Sequence, residues 1–212
     1  MAEVTCPTLN DFTNADRCAE NIGGMSNVVY IGVKSDLKAE LAATANLYGT
    51  PEFNSGKGLY KLELKDESQQ ITGESQGSNK GYNLSWKGIV DVVNKEISML
   101  TRAINNLDIF LICPDGGTGE TQIMYDPFKR VKADSGGISS DTGAAAGDDR
   151  QTSLELKLNG VKYQNLYVTA PEAGWDSLLA SAASGSYRPF PTKNKASPTA
   201  GLIFLSAGSQ AD

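Results

Sequence analysis

The chain has 212 residues, 40% hydrophobic and 21% charged; that is enough to bury one sizeable core, and at ~100–200 residues per domain a single domain is the expectation. Its formal charge of −6, from 19 basic and 25 acidic residues, argues against a general nucleic-acid-binding surface, which needs clustered Lys and Arg to displace counterions. It contains no histidine, so a Ser-His-Asp triad, a Cys-His dyad, an HExxH peptidase and histidine-held zinc or haem are all excluded.

Residues 1–20 lack the basic start and apolar centre of a secretory leader. No stretch approaches the ~18 apolar residues of a membrane span. The expectation is a soluble protein made in a cytoplasm. Of the three cysteines, Cys113 sits in an apolar run and reads as a buried thiol. Cys6 and Cys18 either pair or stay free, and a reducing compartment favours free thiols. Four cysteines are needed for a cysteine-only zinc site, and there is no CxxC.

Residues 27–33 (NVVYIGV) read as a strand, whereas 37–48 suit strand or helix equally. A loop around Pro51 follows. In residues 59–65, Tyr60, Leu62 and Leu64 alternate with Lys61, Glu63 and Lys65, the period-2 pattern of a strand with one wet face. Residues 66–81 are polar and glycine-punctuated, a loop or long hairpin with room for a short strand at Gln70–Glu74. Tyr82, Leu84 and Trp86 alternate again, and Gly88 is expected to end that strand. Ile89, Val93, Ile97, Leu100, Ile104 and Leu107 then recur at spacings of 4, 4, 3, 4 and 3. They predict a helix over about 89–106 with one apolar stripe, capped by Asp91 or Asn94.

Residues 108–113 (DIFLIC) are continuously apolar and predict a central strand covered on both faces. Residues 120–125 are its hairpin partner, and 128–133 alternate weakly. Residues 134–150 hold almost no large apolar side chain and read as a long flexible loop. Leu154, Leu156 and Leu158 mark a strong strand, Asn159-Gly160 reads as a type I′ hairpin turn, and residues 161–168 as the returning strand. Trp175, Leu178, Leu179 and Ala182 suit a short amphipathic helix. A linker with Pro189, Pro191 and Pro198 and a final strand at 201–205 complete the chain.

The fold class is therefore mainly β (α+β): an antiparallel β-sandwich or barrel of about seven or eight strands, with one flanking amphipathic helix and long polar loops. Residues 1–170 are read as a single β-rich domain and 171–212 as a C-terminal extension.

Gly116-Gly117-Thr118-Gly119 lacks the Lys and the following helix that a phosphate loop needs, and reads as a turn. Asp134, Asp141, Asp148 and Asp149 do not follow EF-hand spacing; a solvated loop or a weak Ca²⁺ site is the choice they leave. Asn83-Leu84-Ser85 matches a glycosylation sequon but falls inside a predicted strand. Tyr82, Trp86, Tyr163 and Tyr167 form either a stacking surface for bases or sugars or part of the core. No cofactor is implied.

From Gly56–Leu64, through the polar hairpin at Glu74–Gly77, Tyr82–Trp86, the helix to Asn106 and Asp108–Cys113, to Thr142–Arg150 and Thr152–Leu158, the chain resembles the bacteriophage major tail protein (tail tube subunit) family. The resemblance spans roughly residues 55–168. It implies a non-enzymatic virion protein, made in the host bacterial cytoplasm, with a helix-flanked β-sandwich whose subunits form rings of six that stack into a DNA conduit. The implied partners are further copies of the chain and other tail proteins, with no specific nucleic-acid binding and no membrane. Loops at 73–81 and 134–150 are then the first subunit-contact candidates, with Glu74, Gln76, Lys80, Asp134, Asp141, Asp148, Asp149 and Arg150. Two other readings stand beside it: a β-sandwich binding module for carbohydrate or protein near Tyr82, Trp86 or Trp175, and a histidine-free enzyme with a carboxylate pair.

Overall fold

Runs of β-branched and aromatic side chains supply the strands, and one polar-apolar stripe supplies the helix. A computed structural model describes residues 24–77, 81–117, 119–145 and 147–180. Cys6, Cys18, Lys80, the proline-containing linker and the predicted strand at 201–205 lie outside the described residues.

The strands are β1 (Val28–Val33), β2 (Ala43–Thr44), β3 (Leu47–Tyr48), β4 (Tyr60–Glu63), β5 (Gln70–Ser75) and β6 (Tyr82–Val90). After helix α1 (Lys95–Asn106) come β7 (Ile109–Pro114), β8 (Thr121–Met124), β9 (Ile138–Asp141), β10 (Gln151–Val161) and β11 (Tyr167–Val168). They form a seven-stranded sheet, β2-β3-β11-β8-β7-β1-β4, and a four-stranded sheet, β5-β6-β10-β9. The fold is the expected mainly-β sandwich. The strand count exceeds the sequence reading because β2, β3 and β11 are only two residues long and too short to show a period. The β3–β11 pair is parallel; the other pairs of named strands are antiparallel.

β7 is buried throughout from Ile109 to Cys113. Register explains why both faces are apolar. Phe110 and Ile112 lie beside Gly32, Tyr30 and Ile123 on one face. Ile109, Leu111 and Cys113 point to the other. Phe53 and Tyr125 pack on Phe110, with ring centroids 6.5 and 5.8 Å apart. Gly32 makes room for that arrangement, since a Cβ there would meet the Phe110 ring at 2.1 Å.

From the second sheet, Leu84, Trp86, Leu154, Leu156 and Leu158 join the same core. Each such fully buried side chain contributes about 1.5–3 kcal/mol. Two crossing segments tie the sheets together. Leu64 donates its N–H to the Asn27 carbonyl and Lys65 to that of Ile89, both at 2.7 Å. Val131 bridges to Ile109 of β7, and Lys132 to Lys157 of β10.

Several expectations are corrected. Gly88 does not end its strand, because β10 keeps pairing with β6 as far as Val90. The glycine is needed there for space: a Cβ would lie 2.8 Å from the Trp86 ring. The helix therefore starts at Lys95, not 89, and Asn94 is its cap, accepting the Ile97 N–H at 2.8 Å. Ile97 and Ile104 are buried, but Leu107, the last of the stripe, is 43% exposed.

Asn159-Gly160 is not a hairpin turn. β10 runs straight through it, with a bulge between Leu158 and Val161 and Gly160 at φ +73°. The 161–168 strand contracts to β11, which joins the other sheet. Residues 128–133 form two isolated bridges rather than a strand. The 134–150 stretch contains β9, so it is not one long loop. Near Trp175 there is a single 3-10 turn, Trp175–Leu178, with Leu179 extended after it. Tyr60 does not share the burial of Leu62 and is 41% exposed at the edge strand β4.

Residues 171–180 pack on the β domain. Leu59 and Ala180 donate to the Leu178 and Leu59 carbonyls at 2.8 and 2.9 Å. Trp175 Nε1 donates to Thr121 Oγ1 at 3.3 Å. Among the described residues no helix is long and apolar enough to cross a membrane.

Candidate functional site

The two candidate contact loops sit on opposite edges and opposite ends of the four-stranded sheet. Glu74 belongs to β5, one edge, and pairs across to Asn83. Gln76 closes the turn into β6, its N–H bonding the Gly81 carbonyl at 2.8 Å. That turn lies at the Tyr82–Val161 end of the sheet. The second loop joins β9, the other edge, to β10 at the Val90–Thr152 end. The structure thus does not bring the two loops together.

The aspartates each have a separate task. Asp134 pairs with Lys157 at 3.0 Å and holds that ammonium above its ordinary range. Asp141 Oδ1 accepts the Gly143 N–H at 2.9 Å, an Asx turn. Asp148 Oδ2 accepts the N–H groups of Ala144 and Ala145, both at 2.8 Å, and these bonds hold its carboxyl below the usual range. Asp149 meets Lys65 at 3.1 Å, and Arg150 donates to the Val93 carbonyl at 3.3 Å. The loop is therefore folded on its own hydrogen bonds and tied to a sheet-crossing segment. Among the described residues no group of three or more His, Cys, Asp or Glu is placed to hold a metal ion. Side-chain carboxylates aimed at separate backbone and lysine partners do not make a Ca²⁺ shell, which needs six to eight converging oxygens.

The aromatic residues do not form a stacking platform. Trp86 is fully buried, its Nε1 donating to Gln69 Oε1 at 3.0 Å, and Trp175 is 8% exposed. Tyr82 and Tyr167 lie in different sheets. Cys113 is free and buried, as read from its apolar run, and burial pushes its thiol up, away from reactivity at neutral pH.

Two features escaped the sequence reading. The first is the loop after β8, organised around Lys34. That lysine, 12% exposed, donates to the carbonyls of Asp126 (2.7 Å) and Lys129, pairs with Asp108 at 3.3 Å, and stands 5.5 Å from the Tyr125 ring centre. Asp126 Oδ1 accepts the Phe128 N–H at 2.9 Å, and Arg130 donates to the Leu107 carbonyl at 2.9 Å. The loop holds Phe128 out into solvent, 89% exposed. A signal was present in Asp126-Pro127-Phe128-Lys129-Arg130, a turn dipeptide followed by an aromatic and two cations.

The second is a surface cleft of about 380 Å³ beside β3, β8 and β11, lined by Asn46, Leu47, Glu120, Thr121, Tyr167 and Val168. Leu47 is 46% exposed there. Burial, then the charges of Glu120 and Asp115, raise the Tyr167 hydroxyl above its ordinary range. Neither a protein-family model, nor a curated protein, nor a solved structure matches this chain.

Proposed function

We propose that this chain is a self-assembling structural subunit, of the kind that builds a phage tail tube, and that it acts as a virion component and not as an enzyme. One observation carries the reading. The four-stranded sheet ends in β5 on one side and β9 on the other, both mostly exposed and each next to a polar turn or loop. An exposed edge strand presents unpaired backbone groups that template pairing with another chain. Opposite edges of one sheet suit head-to-tail pairing, which closes into a ring when the rotation allows. The resemblance over residues 55–168 and the helix-flanked sandwich support the same reading. An acidic subunit, net −6, suits a lumen along which DNA slides without sticking.

The test is mass in solution against concentration, by light scattering after size exclusion, with negative-stain images of the concentrated sample. Hollow rings or tubes are the expected result. A chain that stays monomeric at high concentration would instead favour a binding module and send the work to ligand screening.

A further inference from the structure

Asn159-Gly160 is the single Asn-Gly pair in the chain. Such a pair carries its own chemistry. The backbone nitrogen after an asparagine can attack the side-chain carboxamide, and glycine, lacking a Cβ, leaves that nitrogen unshielded. Here the Gly160 N–Cγ bond would form and the Asn159 Cγ–Nδ2 bond would break. The Gly160 amide gives up its proton, and in net balance ammonia carries it away. Water then opens the cyclic imide at either carbonyl, leaving aspartate or isoaspartate. This chemistry makes asparagine one of the thermolabile residues.

The fold places the pair in the bulge of β10. Leu158 faces Leu84 and Val161 faces Tyr82, so Asn159 and Gly160 together stand opposite Asn83 alone. Asn159 is exposed, and water reaches it. Attack needs the Gly160 nitrogen bare and turned toward the Asn159 side chain. The structure opposes both. The Gly160 N–H is turned toward β6 and given to Asn83 Oδ1 at 3.0 Å. The Gly160 carbonyl accepts from the Lys129 ammonium. Immediately after the pair, Val161 is buried and pairs with β6 again. Gly160 is thus held on its N–H side, on its carbonyl side and by the strand that follows.

We propose that Asn159-Gly160 is a latent deamidation site, kept closed by the bonds from Gly160 to Asn83 and Lys129 and opened only when this end of the β6–β10 pair comes apart. Conversion adds a negative charge at 159. As isoaspartate it also lengthens the backbone by one carbon, so the bulge cannot close again in the same register. The site records past opening of the sheet as an irreversible covalent change, whether or not copies assemble.

Peptide mapping by mass spectrometry, with chromatographic separation of aspartate from isoaspartate, tests it on the full chain. Samples are held in mildly alkaline buffer with and without unfolding guanidinium chloride, and folding is checked by circular dichroism melts. Conversion at 159 should be about tenfold or more slower in the folded chain, because it follows the population of the locally opened state. Asn83→Ala should convert about fivefold faster than wild type when folded, the loss of one ordinary hydrogen bond, and at the wild-type rate in guanidinium. Asn83→Asp keeps an acceptor and should stay slow. Lys129→Met should also convert faster when folded. Equal wild-type rates in folded and unfolded chains would overturn the proposal. So would folded Asn83→Ala and Lys129→Met chains that convert no faster than wild type, or an Asn83→Asp chain as fast as Asn83→Ala. If Asn83→Ala does not fold, the wild-type comparison and Lys129→Met decide.

Discussion

Gln69 is 7% exposed and bonds in three directions: it accepts from Trp86 Nε1 and donates to the carbonyls of Ser26 and Val28. It joins β6 of one sheet to the start of β1 in the other. Gln69→Leu strands an indole N–H and two carbonyls in the core, so it should cost about 1–3 kcal/mol in urea unfolding. Ser85 is the converse case. Its hydroxyl is buried with no hydrogen-bond partner, so Ser85→Ala should leave stability unchanged or raise it by up to about 1 kcal/mol. Tyr30 donates to Asp176 Oδ1 at 2.7 Å, and this bond, helped by Lys61, holds the Asp176 carboxyl below its ordinary 3.8. A depressed folded pKa gives stability that is present above the unfolded value and lost as pH falls through the folded one. Burial and the same carboxylate raise Tyr30 above its ordinary 10.0. That contribution is whole below pH 10 and is lost as alkali ionises the unfolded chain first. Asp176→Asn should therefore flatten the acid limb of a stability–pH profile below about pH 4, and Tyr30→Phe should flatten the alkaline limb.

At the scale of elements, α1 is held by a narrow buried stripe and by its cap. Asn94 satisfies the Ile97 N–H, and only Ile97 and Ile104 of the helix are buried. Asn94→Ala should cost about 1 kcal/mol, visible as a lower thermal midpoint without loss of cooperativity. The helix was legible in the apolar period and its end at Asn106 was read correctly, but its start was placed six residues too early, at 89 rather than 95. Ile89 and Val93 continue the helical spacing by coincidence, because β6 holds Ile89 against Ser153. Asn159-Gly160 misled for a related reason. Its preference for positive φ is local and is met at Gly160, but whether a left-handed residue turns the chain or bulges it depends on what lies across the sheet. Asn83 Oδ1 accepts the Gly160 N–H at 3.0 Å and keeps β10 alongside β6.

At the scale of the whole molecule, the proposed self-assembly draws on exposed loops and sheet edges. The 142–150 loop is exposed and folded on Asp148 and Asp141. Limited proteolysis should cut it in the free chain and spare it in assembled rings. Thr72→Lys places a charge on the exposed edge strand β5. It should shift the mass distribution toward smaller species while leaving the melting temperature nearly unchanged, since edge lysines block strand addition without touching the core. Glu74 and Gln76 were singled out as contact candidates from polarity and glycine punctuation alone, and the structure places them at β5 and its turn. The exposure of Phe128 was not legible, because an aromatic in a weak alternation carries no sign of its exposure until the fold places it.

The sequence by itself determined the fold class, the buried strand β7, the outward polarity of β5 and the absence of histidine chemistry. Composition and period-2 alternation act over a few residues and need no partner to be read. Tertiary structure decided the rest: where β6 stops and α1 begins, the bulge in β10, the tasks of the aspartates, and the exposure of Phe128. Those depend on contacts between residues far apart in the chain, such as Lys34 with Asp126 and Tyr30 with Asp176. Local propensity is blind to such pairs, because their free energy exists only once both sheets have closed on one core.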